Sequence, residues 1–189
     1  MVEGAAPAAD SGLWNHPRFR AELHRDPEYW ENLAQQLEGA GFDAIFIADQ
    51  PSVGSDIPSQ HDHLLRQGNG PRLDPAYIVP LMARVTTRLN FVVTSSVTYD
   101  HPYSLARKFA TLDHLSGGRV GWNIVTTNAR QAALNHGLGE LIEHDTRYDR
   151  ADEFLDVAYD LWNAAWDDDA VVRDPDTNTF IDPSRVRPL

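Results

Sequence analysis

Apolar residues in this chain fall into two alternating kinds of run, one long and periodic, the other short and nearly continuous. Tyr29, Trp30, Leu33, Ala34 and Leu37 recur at the spacing that lays one stripe along a helix. Asp26-Pro27 opens that helix: Asp is a good N-cap, and a proline at the first helical position needs no amide partner. Gly39 and Gly41 mark its end. Phe42 to Asp49 is then short and almost wholly apolar, which predicts a strand covered on both faces. The cycle repeats. Asp74-Pro75 starts a helix with Ile78, Val79, Leu81, Met82 and Val85, and 89–97 reads as a second strand. Pro102 and Tyr103 start a third helix, carrying Leu105, Ala106, Phe109, Leu112 and Leu115 and stopped by Gly117-Gly118. Val120 to Val125 reads as a third strand, ending in the polar Thr126-Thr127-Asn128. A loop with Gly137 and Gly139 follows. The last helix carries Phe154, Leu155, Ala158, Leu161 and Trp162, with Thr146 and Asp149 as a loose capping box.

Three stretches lack a period. Residues 50–72 read as a long loop, a length that in compact domains is functional or disordered. From Asp167 to Leu189 the chain is acidic and then proline-containing, with no core element expected. Met1 to Ser11 reads as a disordered segment without a strand. Helix and strand alternate at the spacing of parallel βαβ units, so the fold class is α/β, either a doubly wound sheet or part of a barrel. In both, chemistry sits where strands end in polar residues.

Composition narrows the function. A formal charge of −12 repels phosphate backbones and argues against a nucleic-acid partner. The Asp167, Asp168, Asp169 cluster and the acids at 140–160 read as a solvated loop and helix face. Absence of cysteine rules out a disulfide framework and a thiolate site and fits a cytoplasmic protein. No apolar run reaches the ~18 residues of a membrane span, and residues 1–11 lack the basic and apolar regions of a secretory signal. His61-Asp62-His63 reads as a solvated loop, not a metal site, because no third spaced ligand is evident.

Two stretches are long and specific: Leu112-Asp113-His114-Leu115-Ser116-Gly117-Gly118-Arg119-Val120-Gly121-Trp122-Asn123-Ile124-Val125-Thr126, and Glu143-His144-Asp145-Thr146-Arg147-Tyr148-Asp149-Arg150-Ala151-Asp152-Glu153-Phe154. With Gly12 to Pro17, Phe42 to Asp49 and Thr98-Tyr99, they resemble the bacterial-luciferase-like flavin-dependent monooxygenases. The resemblance is to the subfamily of nitrilotriacetate, EDTA and dibenzothiophene-sulfone monooxygenases. It implies a TIM (β/α)8 barrel that binds FMN, reduced by a separate, transiently bound flavin reductase, and uses O2 to oxygenate a small organic substrate. A homodimer is expected of the full-length form. A barrel needs about 250 residues, so the expectation is an N-terminal-half fragment: residues 12–189 as a partial barrel holding its second to fourth strands. Two other readings stay open, an inactive or interaction-only remnant and a deazaflavin-dependent oxidoreductase of the same superfamily.

The resemblance implies FMN contacts at Asp49, Thr94, Asn123, His144 and Tyr148. Asp49 would fix the polar edge of the flavin ring; its alternative is a cap. Thr94 offers a hydroxyl in a confined strand end, or bonds a neighbouring strand. Asn123 is an amide in an apolar strand and needs a partner, either ligand or protein. His144 and Tyr148 share one face at a helix start, where imidazole, phenol and helix dipole suit the ribityl-phosphate side; capping and packing are the alternative. His16 is placed more weakly, on the substrate side.

Overall fold

The structure, a computed structural model, describes residues 2–4, 16–18, 20–53, 57–66 and 72–187. Its central sheet has four strands in chain order, β1 (Val2–Gly4), β2 (Ala44–Ala48), β3 (Asn90–Ser96) and β4 (Val120–Val125). All three pairings are parallel, so each strand advances the sheet by one position, as the wall of a (β/α)8 barrel does. The helices that return the chain are α1 (Pro27–Gly39), α2 (Pro58–Arg66), α3 (Pro75–Ala83), α4 (Pro102–Ser116), α5 (Arg130–Asn135) and α6 (His144–Asn163).

Three of these helices begin in the same way. Asp26, Asp74 and His101 each accept a backbone N–H two residues on, at 3.0, 2.9 and 3.3 Å, and each is followed by proline. The cap satisfies one orphan donor and the proline removes another. Gly117 ends α4 in the left-handed conformation at φ 69°, where a Cβ would be strained.

The core lies between sheet and helices. Ile45, Ile47, Phe91 and Val93 point to this side and are fully buried against Trp30 and Ala34 of α1, Val79 and Met82 of α3, and Leu105 and Phe109 of α4. Each buried Ile, Val, Leu, Met or Phe side chain among them contributes ~1.5–3 kcal/mol by leaving water. The alternate residues, Val92, Thr94, Gly121 and Asn123, lie on the opposite face by the two-residue period of a strand. There a Cβ on Gly121 would meet Val92 Cγ2 at 3.6 Å, an ordinary contact.

Five expectations are corrected. Val2–Gly4 is a strand, registered against Phe46–Ala48; with one apolar residue its identity comes from pairing, not pattern. Residues 5–11 lie outside the described residues. The 50–72 segment contains α2, so His61, Asp62 and His63 are helical; its polar composition gave no stripe. The segment before Gly137 contains α5, anchored by the buried Ala132 and Ala133. The N-cap of α6 is Glu143, whose carboxylate accepts from Thr146 N–H at 3.1 Å, so Thr146 is inside the helix and caps nothing. The acidic tail forms an antiparallel hairpin, β5 (Val171–Asp174) with β6 (Thr179–Ile181). Asp167 pairs with Arg187, and Asp169 and Asp182 with Arg185, so part of the acidic cluster is neutralised by the arginines that follow it.

Candidate functional site

Polar residues gather where β2, β3 and β4 end. A recess of about 130 Å³ opens there, lined by Asp49, Thr94, Asp100, Lys108, Thr127 and His136 among others. Asp49 follows β2 directly. Burial pushes its carboxyl above the ordinary aspartate range, and the charge of nearby Asp74 adds to the rise. The Gln50 amide, Arg72 and Lys108 oppose it. A carboxyl in this setting takes up a proton more readily than one in water.

Thr94 and Asn123 are register partners on adjacent strands. Asn123 Nδ2 donates to Thr94 Oγ1 at 2.9 Å, and Thr94 is 6% exposed. The two residues therefore satisfy each other in part, as their alternative reading required. The bond uses the Thr94 oxygen as acceptor and leaves the Thr94 O–H as a donor and Asn123 Oδ1 as an acceptor.

A wider recess of about 500 Å³ lies beside the first, lined by Asn128, His144, Arg147 and Tyr148 with the end of β4. Val125 and Thr127 border both. His144 and Tyr148 stand one turn apart on α6, ring centroids 4.8 Å apart, both more than half exposed. His144 Nδ1 lies 2.7 Å from Asp145 Oδ1, which leaves the other ring nitrogen for a ligand.

Asp49 and Thr94 thus share one recess, His144 and Tyr148 the next, and Asn123 joins the first through Thr94. His16 is not brought to either. It lies in a turn and accepts from Arg18 N–H at 3.1 Å.

Sequence reasoning missed three features. Asp100 receives Lys108 at 3.0 Å and Ser95 Oγ at 3.0 Å, a small network in the first recess; an Asp and a Lys eight apart across a helix start give no local signal. His136 stacks on Tyr99, centroids 4.3 Å apart and planes within 9°. Its Nδ1 meets Ala132 O at 2.8 Å; a carbonyl only accepts, so that nitrogen carries the proton. Arg147 is 6% exposed although it sits mid-motif on a charged helix face. Its burial follows from tertiary bonds to the end of β4, which no periodicity announces.

The luciferase-like monooxygenase family matches residues 10–186. The long-chain alkane monooxygenase of Geobacillus thermodenitrificans (strain NG80-2) is 44% identical over 179 residues, 94% of this chain and 41% of the relative. The dibenzothiophene-sulfone monooxygenase of Rhodococcus erythropolis is 42% identical over 177 residues, 93% of this chain and 39% of its own. Among solved structures, a riboflavin lyase with modified FMN and substrate riboflavin superposes with a TM-score of 0.87 at 39% identity, over 99% of this chain and 42% of that one. The chain spans about two fifths of the length of the curated relatives it matches.

Proposed function

The chain belongs to the luciferase-like monooxygenase family, and from that premise we propose that it supplies the FMN-holding wall of a two-component monooxygenase. The whole protein takes reduced FMN from a separate flavin reductase, uses O2, and oxygenates a small organic substrate in the cytoplasm, as a homodimer. One observation carries the reading. Two recesses meet at Val125 and Thr127, at the C-terminal ends of parallel strands. One offers mixed donors and acceptors, and the other lies at a helix N-terminus with an imidazole and a phenol.

That pairing fits an FMN molecule, which has a polar-edged ring at one end and a phosphate at the other. When bound, reduced FMN supplies the electrons for activating O2. The chain's own residues bind and orient. Asp49 and the Thr94 hydroxyl meet the polar edge of the ring, with Asn123 holding Thr94 in place. Tyr148 donates toward the phosphate side, and so does His144 when both its ring nitrogens carry protons, since its Nδ1–H is held by Asp145; the first-turn amides of α6 add favourable dipole there. A deazaflavin would fill the same wall, but the relatives named above are monooxygenases or a lyase solved with modified FMN.

The test is titration with FMN of the unmodified chain and of His144→Ala and Tyr148→Phe, followed by flavin absorbance, with a deazaflavin as competitor. Loss of one hydrogen bond to a charged group costs about 1.5–3 kcal/mol, roughly 10- to 150-fold in affinity. Unchanged dissociation constants in both variants would remove His144 and Tyr148 from the site. Preference for the deazaflavin would change the cofactor.

A further inference from the structure

The end of β4 is held in an unusual conformation. Thr127 has φ 33°, in the left-handed region where a β-branched residue is an outlier and costs of order 1–3 kcal/mol. Such a conformation persists only where its surroundings fix it. Two sets of bonds do so here. From the end of β3 and the turn after it, Ser96 Oγ accepts Thr127 Oγ1–H at 2.9 Å, while Thr98 Oγ1 donates to Thr126 O at 2.7 Å. From α6, Arg147 Nη1 donates to Thr127 O at 2.8 Å and to Thr126 O at 3.3 Å. The guanidinium is nearly sealed from solvent, and its Nε–H is buried without a partner. Burying a charge with one donor unmet is unfavourable for stability, so stability alone is a poor reason for an arginine here.

We propose that Arg147 is the positioning residue of this site: it clamps the Thr126–Thr127 turn in its left-handed form and so sets the spacing between the two recesses that one flavin must span. The inference rests on the FMN reading above. Thr127 borders both recesses, and Arg147 lies on α6 between His144 and Tyr148. One side chain therefore ties the phosphate-side residues to the strand end beside Thr94. If the clamp is lost, Thr127 relaxes to negative φ, and the two halves of the site no longer match one ligand.

Four forms of the full chain test this: Arg147→Met, Arg147→Lys, Thr127→Asn, and Arg147→Met with Thr127→Asn. Asparagine tolerates left-handed φ far better than threonine, so it supplies locally what the arginine supplies from α6. Two readouts are taken, FMN affinity by fluorescence titration and amide hydrogen exchange over 126–128. Arg147→Met is expected to weaken FMN binding about tenfold or more and to speed exchange at 127 and 128. Arg147→Lys, which keeps a cation and can reach one carbonyl, falls between. The double variant recovers most of both losses, which a general packing defect at 147 would not allow. Unchanged affinity and exchange in Arg147→Met overturn the proposal, as does a double variant no better than the single. If Arg147→Met does not fold, the comparison is made on Arg147→Lys with and without Thr127→Asn, read the same way. If the unmodified chain shows no FMN binding, the flavin reading fails by itself. The clamp then stands on the exchange pattern, and unaltered exchange at 127 and 128 overturns it.

Discussion

The two ends of the central sheet are built on different terms. Where β3 and β4 begin, Glu38 and Arg119 are each met by several partners. Glu38 at the end of α1 accepts the backbone N–H groups of Thr87, Arg88 and Leu89 at 2.7–3.0 Å. Arg119 donates to Ser116 O, Ala83 O, Leu89 O and Thr86 Oγ1 at 2.7–3.0 Å, its guanidinium 5.3 Å from the Phe91 ring. Where the strands end, a carboxyl is pushed toward its neutral form, a threonine sits at positive φ, and a buried arginine keeps an unmet donor. One end is satisfied and the other leaves groups for something else to satisfy. That is the division expected when a barrel stores stability at the start of its strands and chemistry at their ends.

The sharpest way to break this comparison is Arg119→Met. It leaves the Ala83 and Leu89 carbonyls short of a donor, for a loss of roughly 3 kcal/mol. In a chain of this size that lowers the thermal midpoint by roughly 6–12 °C. FMN affinity of the folded variant should not move, because Arg119 lies at the other end of β4 from Asn123 and Thr127. A parallel fall in affinity would show that the two ends are not separable.

Asp49→Asn tests the opposite end and should change two quantities in opposite directions. Loss of a charged acceptor weakens FMN binding about tenfold, ~1.4 kcal/mol. Stability should rise instead. The folded carboxyl titrates above the ordinary value of 3.8, so between the two values the folded chain holds a proton that the unfolded chain releases. Stability therefore falls as pH climbs through that window, and above it the charged form carries the full cost. Asparagine, neutral and nearly isosteric, removes this cost, so the variant should gain in midpoint at pH 7 and lose the advantage at pH 3. A drop in midpoint at pH 7 would mean that Asp49 is a structural cap.

How legible each end was follows the same line. The starts of α1 and α3 and the passage from α4 into β4 were readable because local chemistry decides them: Asp26-Pro27, Asp74-Pro75 and Gly117-Gly118 act within a few residues of themselves. Parallel pairing followed from alternation, whereas the sequential strand order was implied only by the resemblance to a barrel family. Positions such as Asp49, Thr94 and His144 came from resemblance in long motifs, and the structure brings Asp49 with Thr94, and His144 with Tyr148. What sequence did not reveal was made by tertiary contact. Val2–Gly4 is a strand because Phe46–Ala48 stands beside it. Arg147 is buried because the turn after β4 folds over it, and Glu38, one charge on a polar helix end, gave no sign of the three amides it would collect.

Glu38 carries the smallest expected effect. Its amide bonds, those of Arg88 and Leu89 foremost, hold its carboxyl near a pKa of about 2 against an ordinary 4.5. A depressed folded-state value means the carboxylate supports the fold fully above pH 4.5 and loses that support as pH falls toward 2. The group is open to solvent, so the interaction is screened and modest. Glu38→Gln keeps the shape but offers one neutral oxygen where two charged ones served. Its midpoint should lie a little below that of the unmodified chain at pH 7, and the gap should narrow steadily between pH 4.5 and pH 2. Added salt should narrow the gap at pH 7 as well. FMN affinity should stay unchanged throughout, since the bonds tie α1 to the start of β3, at the far end of the sheet from Thr94. A gap that is constant from pH 7 to pH 2 would show that the Glu38 charge contributes nothing and that only its shape holds the Thr87–Leu89 backbone.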